Sequence, residues 1–133
     1  MTRQGSRTRS CTPAQARMRR DQARAFLDVA EMVLSDDRRE AHVAAALAVL
    51  AAIAAADAIC GLRIQQWSRG DDHAAAVALL ETVALADSTL PVKLRRLLAD
   101  KDLVHYSPNL VTLPTARSMI RSARLLLAEA ERL

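Results

Sequence analysis

The chain has 133 residues, of which 51% are apolar and only 2% aromatic. This length allows one domain with a real core and excludes a second, and the excess of alanine and leucine over aromatic residues favours close-packed helices over sheet. The longest apolar run, residues 41–60, is interrupted by Asp57, and no apolar signal core follows the N-terminal arginines, so we expect a cytoplasmic protein that does not span a membrane.

The positive charge is concentrated at the N-terminus. Residues 1–24 carry a net charge of +6, whereas the rest of the chain sums to −2. We expect residues 1–12 to form a disordered basic arm and residues 13–133 a single helical domain. The arm is either a solvated tail or a phosphate-binding segment, and both interpretations stay open.

Capping residues and apolar periodicity predict an all-α, up-and-down bundle of about five helices around a four-helix core. The helices are expected to begin near Thr12–Pro13, Asp36–Asp37, Asp72, Thr89 and Thr112. The second should be the alanine-rich central helix. The fourth should run without a break to about residue 106.

Two polar residues stand where the fourth helix should continue its leucine stripe. Lys101 and His105 follow Leu94 and Leu98 at three- and four-residue intervals, which places them on the inward side of the helix. An inward cation and imidazole are either paired structural groups or part of a site.

Asp57 is a second inward polar residue, on the apolar side of the second helix. A buried carboxylate costs several kcal/mol unless it is paired, so we expect a partner among His73, Lys101 and His105. If Asp57 accepts a hydrogen bond from His105, it orients the imidazole for acid–base work. A structural ion pair and an exposed aspartate are the alternatives.

No metal or other cofactor is predicted. The three histidines lie on different helices without the spacing of a helical metal site, and Cys11 and Cys60 are expected to be free thiols. Clustered arginines with paired donors suit phosphates, although a solvated basic face is the alternative. The nucleic-acid-binding candidates are Arg69, His73, Arg95, Arg96, Arg117, Arg121 and Arg124.

Three short motifs resemble the HEPN superfamily, in particular its small stand-alone actinobacterial members. They are Lys101-Asp102 just before Val104-His105-Tyr106, the segment 68–73 that opens the third helix, and the segment 56–61 that ends the second. The resemblance covers about residues 13–133. It implies a helical homodimer and a metal-independent ribonuclease of the toxin or defence type, which can have a cognate antitoxin or partner protein.

The resemblance also implies roles for single residues. His105 matches the motif histidine and would act as general base or acid, Lys101 would stabilise the phosphorane, and Asp102 resembles the polar residue of the motif. Asp57 or Asp102 would orient the imidazole, and Tyr106 would donate a hydrogen bond or stack on a base. Lysine replaces the expected arginine and the spacing is short, so a non-catalytic module that binds a partner protein or nucleic acid is the alternative.

Overall fold

The computed structural model describes residues 8–68 and 72–133, and these residues form an all-α helical bundle with one small two-stranded sheet. The predicted fold class is therefore confirmed. The elements are β1 (Thr8–Ser10), α1 (Pro13–Val33), α2 (Arg38–Ile64), β2 (Gln66–Ser68), α3 (His73–Glu81), α4 (Leu90–Ala99), α5 (Lys101–Tyr106) and α6 (Leu113–Arg132).

Helix α2 is the central helix, as its composition predicts. Asp37 caps it by accepting hydrogen bonds from the backbone N–H groups of Arg39 and Glu40. Its small alanine side chains let α1 and α6 pack closely on either side. By length and composition alone α2 is apolar enough to cross a membrane, but 67% of its most apolar stretch is buried inside the bundle. Its apolar character is thus accounted for by its central position.

Helices α1 and α6 begin where their capping residues predict. Thr12 and Gln15 form a reciprocal capping box at the start of α1, with Pro13 at the first helical position. Thr112 caps α6 by accepting a hydrogen bond from the Thr115 N–H. Both helices bury one apolar side against α2, which fixes the core.

The prediction of one unbroken fourth helix is wrong, because the helix is interrupted at Asp100. Asp100 has φ −91° and ψ 0° and donates its N–H to Leu97, which tightens the last turn of α4. The short helix α5 then starts at Lys101. Lys101 and His105 therefore belong to α5 and not to α4.

The prediction of a disordered arm is also wrong for residues 8–12, while residues 1–7 lie outside the described part of the chain. Strand β1 pairs antiparallel with β2, and Arg9 lies opposite Trp67. Cys11 is buried and donates its N–H to the Gln65 carbonyl. A Cβ atom on Gly61 would lie 2.8 Å from the Cys11 sulfur, so this glycine lets the segment after β1 pack directly on α2.

Candidate functional site

A cleft of about 380 Å³ lies where the small sheet meets α2, α3, α4 and α5. Its floor is the partly open side of α2, and its rim carries polar side chains from both strands and from the first turns of α3 and α5. The lining residues are Arg9, Arg19, Leu50, Ile53, Ala56, Asp57, Trp67, Ser68, Asp72, His73, Ala76, Leu94, Leu98 and Lys101. We call this cavity the cleft.

Asp57 lies on the floor of the cleft, and its partner is Arg19. The Nε of Arg19 donates to the Asp57 carboxylate at 3.0 Å, and the Asp57 side chain is only 16% exposed. Burial raises the pKa of Asp57, an effect that the charges of Arg19 and Arg9 partly offset. Arg19 is not among the partners that the sequence suggested, which were His73, Lys101 and His105.

We expect Asp57→Asn to leave the protein at least as stable as the parent at pH 7 and to flatten the pH dependence of its stability. The folded-state pKa of Asp57 lies above its ordinary value of 3.8, so the folded state holds the proton more tightly than the unfolded chain. The protonated Asp57 carboxyl therefore contributes its full stabilisation at pH values below the pKa of the unfolded state. This contribution is lost as the pH rises through the pKa of the folded state. An asparagine avoids this loss and can still accept from Arg19.

Urea unfolding of parent and variant across acidic and neutral pH measures this difference. Asp36→Asn, at an exposed position between α1 and α2, serves as the control for the loss of a surface carboxylate and should change the stability at pH 7 by less than about 0.5 kcal/mol. An Asp57→Asn variant that is markedly less stable than the parent at pH 7 would contradict the expected gain or neutrality in stability.

Both cysteines lie close to Asp57, and neither is activated. Burial and the charge of Asp57 raise the pKa of the Cys60 thiol to about 12 and raise the pKa of Cys11 as well. A thiol that stays protonated at neutral pH is a poor nucleophile. Both cysteines are free, as the sequence predicts, but Cys11 is buried rather than part of a solvated tail.

His105 lies outside the cleft, one helical turn from Lys101. Its imidazole faces α2 near Ala46 and His42, and its Nε2 is buried without a hydrogen-bond partner among the described residues. Burial and, next, the charge of Lys101 lower the pKa of His105, which favours the neutral form of the ring. The suggested hydrogen bond from His105 to Asp57 is not formed.

The five predicted catalytic residues therefore do not converge. Asp57 and Lys101 line the cleft, His105 packs against α2, and Asp102 and Tyr106 are exposed, Tyr106 by 76%. The rings of His105 and Tyr106 are tilted relative to each other with their centroids 6.1 Å apart. Only Asp57 and Lys101 can meet a ligand in the cleft.

His42 has a structural position that the sequence did not indicate. Its Nδ1 accepts the N–H of Val111 at 3.1 Å, and its Nε2 lies 2.9 Å from the Val104 carbonyl oxygen. The proton of the neutral ring must therefore be on Nε2, which donates to Val104. His42 thus ties α5 and the loop before α6 to the first turns of α2.

The nucleic-acid-binding candidates fall into several groups. Arg95 pairs with Glu81, and Arg124 pairs with Glu31. Arg117 is exposed, His73 lines the cleft, and Arg69 lies outside the described residues.

Arg96 and Arg121 line a second groove of about 450 Å³, which we call the α4–α6 groove. Three hydroxyl side chains, one lysine and one carboxylate share this groove. They are Thr115, Ser118, Ser122, Lys93 and Asp100. Hydroxyls interspersed with arginines suit a phosphate, so this pair is the part of the predicted set best placed to bind an anion.

A comparison of the chain with protein-family models, curated proteins and solved structures finds no match. The HEPN resemblance therefore stays a prediction that rests on the three motifs. Across residues 8–68 and 72–133, no three His, Cys, Asp or Glu side chains come together in a way that could hold a metal ion.

Proposed function

We propose that the protein is a HEPN-like RNA-binding domain that holds single-stranded RNA in the cleft. The observation that carries the proposal is the position of Trp67, the sole tryptophan of the chain, in the same cleft as Arg9 and Lys101. An indole face stacks on any base, and adjacent cations bind the flanking phosphates. The residues for both kinds of contact are thus within one cavity.

Ser68 adds a polar contact beside Trp67. Its hydroxyl oxygen is buried and has no hydrogen-bond partner among the described residues, yet Ser68 lines the cleft. Buried polar atoms are nearly always satisfied. A base edge or a ribose 2′-hydroxyl would supply the missing partner.

The α4–α6 groove extends the cationic surface to the other side of α4. Leu94 and Leu98 face the cleft, whereas Lys93, Arg96 and Leu97 face the groove. An RNA strand that leaves the cleft across α4 would therefore meet a second set of cations. This arrangement supports a ligand longer than one nucleotide.

Fluorescence of Trp67 tests the proposal directly. Titration with a single-stranded RNA oligonucleotide should quench the emission, and Trp67→Ala should weaken binding about tenfold because stacking contributes about 1–3 kcal/mol per base. Trp67→Phe should retain most of the affinity. Unchanged emission and no retained RNA at low salt would overturn the proposal and favour a partner protein in the cleft.

Lys101→Gln and Arg95→Gln form a matched pair for the electrostatic contribution. Lys101 lines the cleft, while Arg95 already pairs with Glu81. Removing a phosphate contact should weaken binding to all sequences and reduce the salt slope by about 1. We expect weaker binding and a smaller salt slope for Lys101→Gln, and neither effect for Arg95→Gln.

RNA cleavage is the second candidate function, and it rests on the motif that puts His105 four residues after Lys101. In that function His105 would accept a proton from a ribose 2′-hydroxyl and Lys101 would stabilise the negative charge on the attacked phosphate, which requires the imidazole to leave its position against α2. Incubation of labelled RNA in EDTA should then give 2′,3′-cyclic phosphate ends, which His105→Ala should abolish. If the RNA stays bound and uncut, the cleavage function is ruled out and only RNA binding remains.

A further inference from the structure

Three cationic side chains from three different elements line the cleft. Arg9 comes from β1, Arg19 from α1 and Lys101 from the first turn of α5. Cross-strand partners of an antiparallel pair project from the same face of the sheet, so Arg9, which lies opposite Trp67, stands beside the indole. A nucleotide whose base stacks on Trp67 therefore has its own phosphate close to Arg9.

Arg19 is held in place with part of its guanidinium still available. Its Nε donates to Asp57 at 3.0 Å, and its Nη1 donates to Gln22 at 2.9 Å. These contacts use two of the five N–H donors of the group, and the other three have no partner among the described residues. Because the side chain lines the cleft and is 28% exposed, an anion can bind there without first ordering it.

Two carboxylates also line the cleft, and both are engaged within the chain. Asp57 belongs to the ion pair just described, and the Asp72 carboxylate accepts the Ala75 N–H at the positive end of α3. Within residues 8–68 and 72–133, neither Arg9 nor Lys101 forms an ion pair. The cleft therefore offers two cations that no carboxylate of the described chain compensates by direct contact.

The size of the cleft limits how much of an RNA strand can enter it. At about 380 Å³ it lies near the lower end of the roughly 300–1,000 Å³ of small-ligand cavities. It has room for about one nucleotide between the sheet and the helices that bound it. The rest of a strand would follow the cations across α4 into the α4–α6 groove, so the nucleotide in the cleft is the last one of the strand.

We propose that the cleft binds the end of an RNA strand that carries a terminal phosphate, an inference that rests on the proposed function. The last base stacks on Trp67, and the phosphate lies between Arg9, Arg19 and Lys101. A phosphate monoester carries a charge of about −1.5 to −2 at pH 7 and three acceptor oxygens, whereas an internal phosphodiester carries a single charge. Arginine forks bind such oxygens in pairs, so the cleft distinguishes the two by charge and by the additional oxygen.

Equilibrium binding of the full chain to four forms of one oligonucleotide tests this proposal. The forms carry a 5′-phosphate, a 3′-phosphate or hydroxyls at both ends, or they have no ends because the strand is circular. One phosphorylated end should bind about tenfold to hundredfold tighter than the hydroxyl form, as expected for hydrogen bonds to a charged group, and the two arms identify which end it is. The circle should bind no tighter than the hydroxyl form.

The same four measurements separate the two proposals. Equal affinity for all forms would overturn recognition of the end, while RNA binding itself would stand. An equal gain from a phosphate at either end would also overturn it, because the gain would then come from added charge alone. If none of the forms binds at low salt, the proposed function fails as well.

Arg9→Gln and Arg63→Gln form a matched pair for the phosphate contact. Arg9 lines the cleft, whereas Arg63 is exposed in the last turn of α2 and lies outside it. Arg9→Gln should reduce the preference for the phosphorylated end about tenfold, and Arg63→Gln should keep it. Arg19→Lys retains the positive charge beside Asp57 but loses the fork, so the preference should fall there too.

The measured quantity for each variant is the ratio of its affinities for phosphorylated and hydroxyl-ended RNA. A variant that only unfolds or loses general electrostatic attraction weakens both affinities and leaves the ratio unchanged. An unchanged ratio in both Arg9→Gln and Arg19→Lys would overturn the proposal. Circular dichroism shows whether the variants keep their helices.

Discussion

Ala48→Leu is expected to destabilise the bundle by about 3 kcal/mol, at the upper end of what overpacked cores lose. Ala48 lies in the middle of α2 and has no exposed surface, and the same holds for its neighbours Ala44, Ala51 and Ala52. Protein interiors have no free volume for an added isopropyl group. The larger side chain must therefore push α1 or α6 away from α2.

Urea unfolding followed by circular dichroism measures the loss. Ala128→Leu is the matched control, because position 128 is an exposed site on α6 where the same change should cost under about 0.5 kcal/mol. If both variants have the same urea midpoint of unfolding as the parent, close packing of α2 is not what stabilises the fold.

Glu129→Ala is expected to lower the free energy of unfolding by about 2–3 kcal/mol, which is in the range for hydrogen bonds that involve a charged group. Glu129 is only 5% exposed. Its carboxylate accepts the Ala86 N–H at 3.0 Å and pairs with Arg132 at 2.6 Å. Truncation removes the acceptor that holds the loop between α3 and α4 to the end of α6.

Glu131→Ala is the control for this change, because the Glu131 side chain is 37% exposed and pairs with Arg24 at the surface. Surface ion pairs contribute about 0–1 kcal/mol. Glu129→Gln keeps an oxygen acceptor and should recover part of the loss. Equal losses for Glu129→Ala and Glu131→Ala in thermal or urea unfolding would contradict the buried role of Glu129.

The sequence was most informative where the structure depends on local chemistry. The starts of α1 and α6 follow from Thr12 and Thr112, since a capping side chain acts on the residues directly after it. The sequence does not predict the break at Asp100, because its neighbours on both sides have the periodicity of a continuous helix. The sequence does not predict strand β1 either, because its three residues have no apolar alternation and are ordered by pairing with β2.

The candidate site was predictable only in part, for a similar reason. Asp57 and Lys101 could be singled out because each interrupts an apolar stripe, and both line the cleft. Arg19 pairs with Asp57 across 38 positions of sequence, and Trp67 enters the cleft from a strand that exists only with its distant partner. Sequence periodicity contains no information on such long-range contacts. The signal for Trp67 in the sequence is a lone tryptophan between a helix end and a turn.

The pairing of β1 with β2 also has a practical consequence for handling the protein. Arg9 reaches the cleft only while Thr8–Ser10 stays paired with β2, whereas the long helices α1, α2 and α6 pack on one another. A protease that trims the first ten residues would thus remove part of the cleft wall without melting the helices. Purification tags therefore belong at the C-terminus, and a sample can look fully folded by spectroscopy after its cleft has been altered.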